Sequence, residues 1–351
     1  STATLAQTKE PTLVILYTKS GDETEEFENL LAATKFSIDY YNETFKKNLS
    51  FKLIEIDDKG SADVAKTQLQ NILKNENPVA VVGPLYSNVA LSLKSLAEEN
   101  KIPLISVFAT HNGLTHNSQY MFRICASNDD LVKNLVARLL PQIKKNKLNV
   151  SIFKDVSDTY SVDLAENLKT ALHGSGILST EITFRGAQGL ERLKDINSKV
   201  WNPTPKDLLL LATQDILASK ILTSMETEPY LLGTIEPVNF VEIMQRIKKR
   251  KSHIRFISTT QWLPGKSTLS KKVEAAFRAK NKNEMKISSA LTFDAVTYLL
   301  SSMERSEKTG KPLVETLKDG TKMEGVTGPV SFDSEGERVE TSEFIQEDIL
   351  K

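Results

Sequence analysis

VAVVGPLYSNVALSLKSLAEENKIPLISVFATHNGLT, residues 79–115, holds two apolar runs that each stop at small polar residues. Val79 to Val82 end at Gly83-Pro84, and Pro103 to Val107 end at Phe108-Ala109-Thr110. Between them, Ser87 to Glu99 has helical spacing. A strand, a helix and a second strand of this length imply a parallel crossover, because a parallel partner cannot be reached by a tight turn. Ser87 and Thr110 then fall on one edge of one sheet. Each has an ordinary reading alone: Ser87 caps the following helix, and Thr110 fixes a turn. Together, beyond the carboxyl ends of neighbouring parallel strands, they mark the edge where doubly wound sheets hold ligands. A helix start there would also offer free N–H groups to an anion.

The same alternation extends outward. TLVILYT (12–18) is an apolar run, followed by a helical pattern from Glu25 to Phe45 with Phe27, Leu30, Leu31, Thr34, Ile38 and Tyr41 on one face. FKLIEID (51–57) alternates with period two, and Ser61 opens a helix through SADVAKTQLQNILKN. After YMFRICASNDD a second series begins. Helix Leu131–Ile143 leads to NVSIF, helix Val162–Leu172 to STEITF, and a helix near Leu190–Val200 to DLLLLAT (207–213). Helix Ile216–Met225, YLLGT, helix Asn239–Lys249 and IRFIST (254–259) follow, then helices at Ala275–Lys280 and Ser289–Met303. GVTGPVSFDSEGERVETSEFIQ reads as a late hairpin turning at Asp333–Gly336. The expected fold is α/β, with two doubly wound parallel-sheet lobes. No internal repeat and no low-complexity segment is visible.

The bulk numbers agree with two lobes. The chain has 351 residues, 40% hydrophobic and 26% charged, with 45 Lys plus Arg against 45 Asp plus Glu. A formal charge of zero gives no general attraction to nucleic acid or anionic membrane, so no nucleic-acid partner is expected. One cysteine, Cys125, allows no intrachain disulfide, which argues against a vertebrate-type ectodomain. No apolar run reaches the roughly 18 residues that span a bilayer. Ser1, without an initiator Met, reads as a processed or trimmed terminus, so a signal peptide or lipid-bearing anchor would lie outside the chain.

Other motifs reduce to plain readings. RIKKRKSHIR (246–255) is a solvated basic helix face. LPGKST (263–268) ends like a phosphate loop, but Thr260 stands where its first glycine belongs. His111, His116, His173 and His253 form no HxH or HxxxH pair, so no metal and no cofactor is expected. No GxSxG occurs and Cys125 is placed inside an apolar strand, so no catalytic residue is assigned and no enzyme is expected. Asp57-Asp58 is read as a solvated strand end. NET, NLS and NVS match glycosylation acceptors, a tripeptide frequent by chance.

VAVVGPLYSNVALSLKSLAEENKIPLISVFATHNGLT…YMFRICASNDD resembles the bacterial periplasmic binding proteins of the leucine/isoleucine/valine-binding family, of the type I periplasmic binding fold. G-P-x-x-S, I-P-x-I-S, A-T-x-x-x-L-T and an F-R strand occur in order. ALTFDAVTYLLSSME (290–304) resembles that family's Y-D-A helix, and GVTGPVSFDSEGER (325–338) its G-x-x-G-x-x-x-F-D-x-x-G signature. The resemblance implies two lobes joined by a three-strand hinge: 1–124 plus 264–327, and 125–263 plus 328–351. It implies ligand-binding roles for Tyr86, Ser87, Phe108, Ala109 and Thr110 on the first lobe. On the second it implies them for Tyr160, Thr213, Gln214, Gln261 and Trp262. Tyr160 would cover the ligand on closing, with Ser161 where a glycine is usual. Gln261 and Trp262 stand where an acid usually meets a ligand ammonium. Asp215 or Glu236 would supply that charge, or the ligand lacks an ammonium.

The function implied is extracytoplasmic binding of a small solute, an amino acid or related carboxylate or amide, and its delivery to the permease of an ABC transporter. The rival is a ligand-sensing ectodomain of a membrane receptor, coupled to its own signalling domain. The location implied is the periplasm or the outer face of the bacterial membrane, with or without a lipid anchor. A monomer is expected.

Overall fold

The computed structural model describes residues 10–20, 29–236 and 254–350. Two parallel sheets organise it. The first contains β1 (Thr12–Tyr17), β2 (Lys52–Asp57), β3 (Pro78–Val82), β4 (Leu104–Ser106) and β5 (Met121–Arg123), in the order β2-β1-β3-β4-β5. All four pairings are parallel. The second contains β6 (Asn149–Asp155), β7 (Ser179–Phe184), β8 (Asp207–Ala212), β9 (Leu231–Ile235) and β10 (Ile254–Thr260). A last strand, β13 (Phe344–Leu350), joins its edge antiparallel to β10, giving the order β13-β10-β9-β8-β6-β7. Between them in sequence, β11 (Met323–Gly325) and β12 (Gly328–Val330) form a small antiparallel ladder.

β1 is buried at every position, as a central strand covered on both faces must be. One face of the first sheet is covered by α1 (Leu30–Phe45), α9 (Thr268–Asn281) and α10 (Ile287–Thr309), the other by α2 (Ala62–Asn75), α3 (Ser87–Ser92) and α4 (Lys94–Asn100). The second sheet lies between α5 (Asn128–Asn146) and α6 (Thr159–Gly174) on one side and α7 (Gly186–Ile196) and α8 (Asp215–Ser224) on the other. Polar starts set the helix ends. Asn29 accepts the Ala32 N–H, Ser61 the Val64 N–H, and Ser127 with Asp130 forms a reciprocal capping box.

Several expectations need correction. The helix read as Ser87–Glu99 is two short helices with a break at Leu93, whose N–H donates to Ala90 O rather than one residue further back. Ser92 helps by donating its hydroxyl to Val89 O at 2.7 Å. A six-residue α3 has little macrodipole, so the helix start cannot by itself carry an anion. The late hairpin has its ladder at 323–330. Residues 333–336 form a turn beside an isolated Phe332–Arg338 bridge, and 344–350 leaves to pair with β10. Cys125 lies past the end of β5, buried, with its thiol pushed up to about 12 by burial. Asp58 is not a solvated strand end: it is fully buried and accepts the Gly60 N–H at 2.8 Å. The expected helix at Asn239–Lys249 and most of the basic cluster 246–255 lie outside the described residues. Among the described residues no helix is long and apolar enough to cross a membrane.

The two late motifs meet in a buried polar knot. Asp294 of α10 accepts the Val326 N–H at 2.6 Å and the Thr327 N–H at 2.9 Å. Arg338 donates to Thr327 Oγ1 at 2.7 Å and to Ile124 O at 3.1 Å. Burial drives the Asp294 carboxyl above the usual range, with the Arg338 guanidinium opposing the shift. Gly325 is required there, since a Cβ would sit 2.6 Å from Asp294 Oδ2. Arg338 thereby ties residues 327–329, before the chain reaches β13, to Ile124, after β5.

Candidate ligand site

Both sheets reverse their strand order once, between β1 and β3 and between β6 and β8, and their carboxyl ends face a common cleft. A cavity there is lined by Leu85, Tyr86 and Ser87 after β3, and Phe108 and Thr110 after β4. From the second sheet come Tyr160 in the first turn of α6, Thr213, Gln214 and Asp215 after β8, and Glu236 after β9. The walls stand close together, leaving a cavity volume of about 40 Å3 between them in this arrangement.

The first wall is positioned from behind. Ser87 is the first residue of α3 and caps nothing. Its Oγ accepts the His111 N–H at 3.3 Å, which joins the loops after β3 and β4. The His111 carbonyl accepts from Arg123 Nη1 at 2.5 Å. Arg123, 2% exposed, forks onto Glu337 through Nε (2.9 Å) and Nη2 (2.6 Å), a two-point contact that fixes its orientation. Gly83 starts this wall at φ 109°, and a Cβ on it would stand 1.8 Å from the Leu16 carbonyl oxygen.

The second wall carries the acids. Glu236 has φ 42°, uncommon for a residue with a Cβ, and is buried. Its carboxyl accepts the Gln261 N–H at 2.6 Å and the Thr260 hydroxyl at 3.0 Å. Burial pushes it up to about 7 against those hydrogen bonds. Asp158 caps α6 by accepting the Tyr160 N–H and also accepts from Gln214 Nε2 at 3.1 Å. Burial lifts it to about 6.

Two cavity hydroxyls are left over. Thr110 Oγ1 and Thr213 Oγ1, on opposite walls, are buried without a hydrogen-bond partner among the described residues. Such a group costs about 1–3 kcal/mol.

Residues 11–177 match the family model described as periplasmic binding protein. No curated protein matches the chain. Solved structures match it over nearly its whole length. The leucine binding protein LivK of Thermotoga maritima superposes with a TM-score of 0.77 at 18% identity, covering 97% of both chains. The branched-chain amino acid transporter substrate binding protein LivJ of Streptococcus pneumoniae, in complex with isoleucine, gives 0.76 at 19%, covering 98% of this chain and 100% of that one. A solute binding protein of an ABC transporter from Rhodopseudomonas palustris, in complex with 3,4-dihydroxybenzoic acid, gives 0.73 at 16%, covering 96% and 92%. The chain has the type I periplasmic binding protein fold.

Within that periplasmic binding fold, seven of the ten sequence-derived candidates line the cavity: Tyr86, Ser87, Phe108, Thr110, Tyr160, Thr213 and Gln214. Ala109 is buried in the core beneath the first wall, and Trp262 in the core against α9 and α10. Gln261 stands behind the second wall, its Oε1 accepting the Ala126 N–H at 2.7 Å. Leu85, which also lines the cavity, carries no sequence signal that distinguishes it from a core leucine. Asp215 and Glu236, named only as alternative sources of charge, both line the cavity.

Proposed function

We propose that this chain is a non-catalytic, extracytoplasmic solute-binding protein that closes on a small organic molecule and presents it to an ABC transporter. The lobes would be the two sheets with their covering helices, turning about the segments near Ala126, Gln261 and Arg338. The observation that carries the reading is the pair of unpartnered hydroxyls, Thr110 and Thr213, buried on opposite walls of one cavity. A molecule bridging them would touch both lobes, and only interactions that exist in the closed form alone can shift an open–closed equilibrium.

The lining suggests the ligand's polarity. Among the described lining residues none is Lys, Arg or His, so an acceptor end would meet Ser87 and Thr110. A donor end would meet Asp215 and Glu236, and an apolar middle Leu85, Phe108 and Tyr160. Amino acids and small aromatic acids, the classes bound by the similar structures, both satisfy part of this pattern.

A thermal-shift screen with branched-chain amino acids, their deaminated carboxylates and hydroxybenzoates tests the reading. A ligand at 100 times its dissociation constant should add about 2.7 kcal/mol, and mass spectrometry should recover it unchanged. No stabilisation by any small solute would sink the proposal, and turnover would replace it with an enzyme.

A further inference from the structure

A second set of contacts joins the two walls outside the cavity. The loop after β4 carries His111 and Asn112, next to the cavity residue Thr110. α6 carries Asp163 and Asn167, three and seven residues past the cavity residue Tyr160 and so on the same helix face. Asp163 Oδ2 accepts the Asn112 N–H at 3.1 Å, and Asn167 Oδ1 accepts from Asn112 Nδ2 at 2.8 Å. The His111 ring lies alongside, Nε2 3.7 Å from Asp163 Oδ1. Its Nδ1 accepts the Gly113 N–H at 3.0 Å, so Nε2 bears the proton of the neutral ring. Asn128, at the start of α5, donates its side-chain amide to Asp163 Oδ2 at 2.7 Å, while its backbone N–H donates to Thr110 O at 2.7 Å and the Asp129 N–H to Asn112 Oδ1 at 3.0 Å, so the start of α5 touches both sides.

We infer that Asp163 is a positioning residue whose bonds to Asn112 latch the two lobes together and set ligand affinity without touching the ligand. The latch and the cavity share the same two elements. Any motion that separates Thr110 from Tyr160 also pulls Asn112 off Asp163 and Asn167. On this inference the latch contacts form only as the two walls approach. They raise the closed fraction before a ligand arrives, and apparent affinity scales with that fraction.

The structural half of this inference is independent of the solute-binding reading. The affinity half rests on it. The test uses the full chain, unfolded and refolded to strip any co-purified solute, with spin labels at the exposed positions His116 and Thr170 (H116C and T170C). Cys125, buried, stays unlabelled. Pulsed electron–electron distances are compared with and without Asp163→Ala, and separately Asn112→Ala in case the first variant folds poorly. Expected is a short-distance population without solute that falls by about tenfold in either variant, with far-ultraviolet circular dichroism unchanged. Asp163→Glu should restore part of it. For any solute found by screening, dissociation constants should rise by the same factor in Asp163→Ala whatever the solute's chemistry. Identical distance distributions in parent and variants, all open or all closed, would overturn the latch. If the distances shift but no solute in the screen binds, the latch stands and the solute-binding reading fails.

Discussion

Glu236 and Gln261 are joined by one short hydrogen bond, the Gln261 N–H donating to Oε1 at 2.6 Å, and it fastens the cavity wall to the segment leaving β10. Gln261 in turn accepts the Ala126 N–H, so the wall is tied to a second connection between the sheets. A group that touches both the cavity and these connections can report a ligand's charge to the parts that would bend.

Glu236 should also leave a mark on stability. Burial raises its carboxyl from 4.5 to about 7, so the folded chain holds a proton that the unfolded chain has released between those values. The stabilisation is complete below pH 4.5 and is lost as the pH rises through 7. At about 1.4 kcal/mol per unit over about 2.5 units, this amounts to roughly 3 kcal/mol between pH 4.5 and pH 8. Glu236→Gln cannot titrate. Relative to the parent it should gain about that much between pH 4.5 and pH 8, measured by urea unfolding at both. A constant difference between the two proteins would mean that Glu236 keeps an ordinary affinity for protons.

Thr110→Val and Thr213→Val should move stability and binding in opposite directions. Each replaces a buried, unpartnered hydroxyl by a methyl of similar volume. Removing it should stabilise the ligand-free protein by up to about 1 kcal/mol and weaken binding of a solute found by screening by about 1–2 kcal/mol. Urea midpoints without ligand and titration calorimetry with it check both signs. A variant that loses stability and binds normally would place that hydroxyl in the fold and not in the site.

Gly83 and Gly174 make a contrasting pair. Gly83→Ala sets a methyl 1.8 Å from the backbone oxygen of Leu16, in a strand buried at every position, at a φ of 109°. It should cost more than about 3 kcal/mol, because neither backbone can yield cheaply. Gly174, at the end of α6, has open space around its Cβ position. Gly174→Ala should stabilise by about 0.5–1 kcal/mol. Equal urea midpoints for the two variants would contradict this account of the first wall.

Much of this architecture is legible in local pattern. Most strands are short runs rich in Val, Ile and Leu, and their length and period separate them from the helices between. That places Ser87 and Thr110 beyond strand ends, where the cavity lies, whereas Tyr160, in the first turn of α6, is singled out only through the family resemblance. What local pattern misses is pairing at long range. Arg123 with Glu337, and Asn112 with Asp163, are separated by 214 and 51 residues, and no spacing rule links them. The break at Leu93 is hidden for another reason: both short helices keep one apolar phase, so the pattern runs through it. Glu236 is legible only as one of two alternative sources of charge, because YLLGT gives no register beyond its last apolar position. The left-handed turn of Glu236 itself decides where the carboxyl points.

Tyr160 distinguishes a closing cleft from a rigid pocket. Its backbone N–H is held by the Asp158 cap, and its ring both lines the cavity and packs partly on the core of its own sheet beside α5. The two roles predict different losses. Packing on its own sheet contributes to stability in the open and closed forms alike, whereas contact with a ligand held by the opposite wall exists only after closure. Because the ring is only partly buried, Tyr160→Ala should cost about 1–2 kcal/mol of ligand-free stability, less than a fully buried aromatic would. Its effect on binding should be larger than that, and small-angle scattering at saturating solute should show reduced compaction. Tyr160→Phe keeps the ring and should retain the stability and the compaction. A Tyr160→Ala variant that binds and compacts normally, but loses several kcal/mol of stability, would make Tyr160 a core residue and leave the second wall to Thr213, Gln214 and the acids.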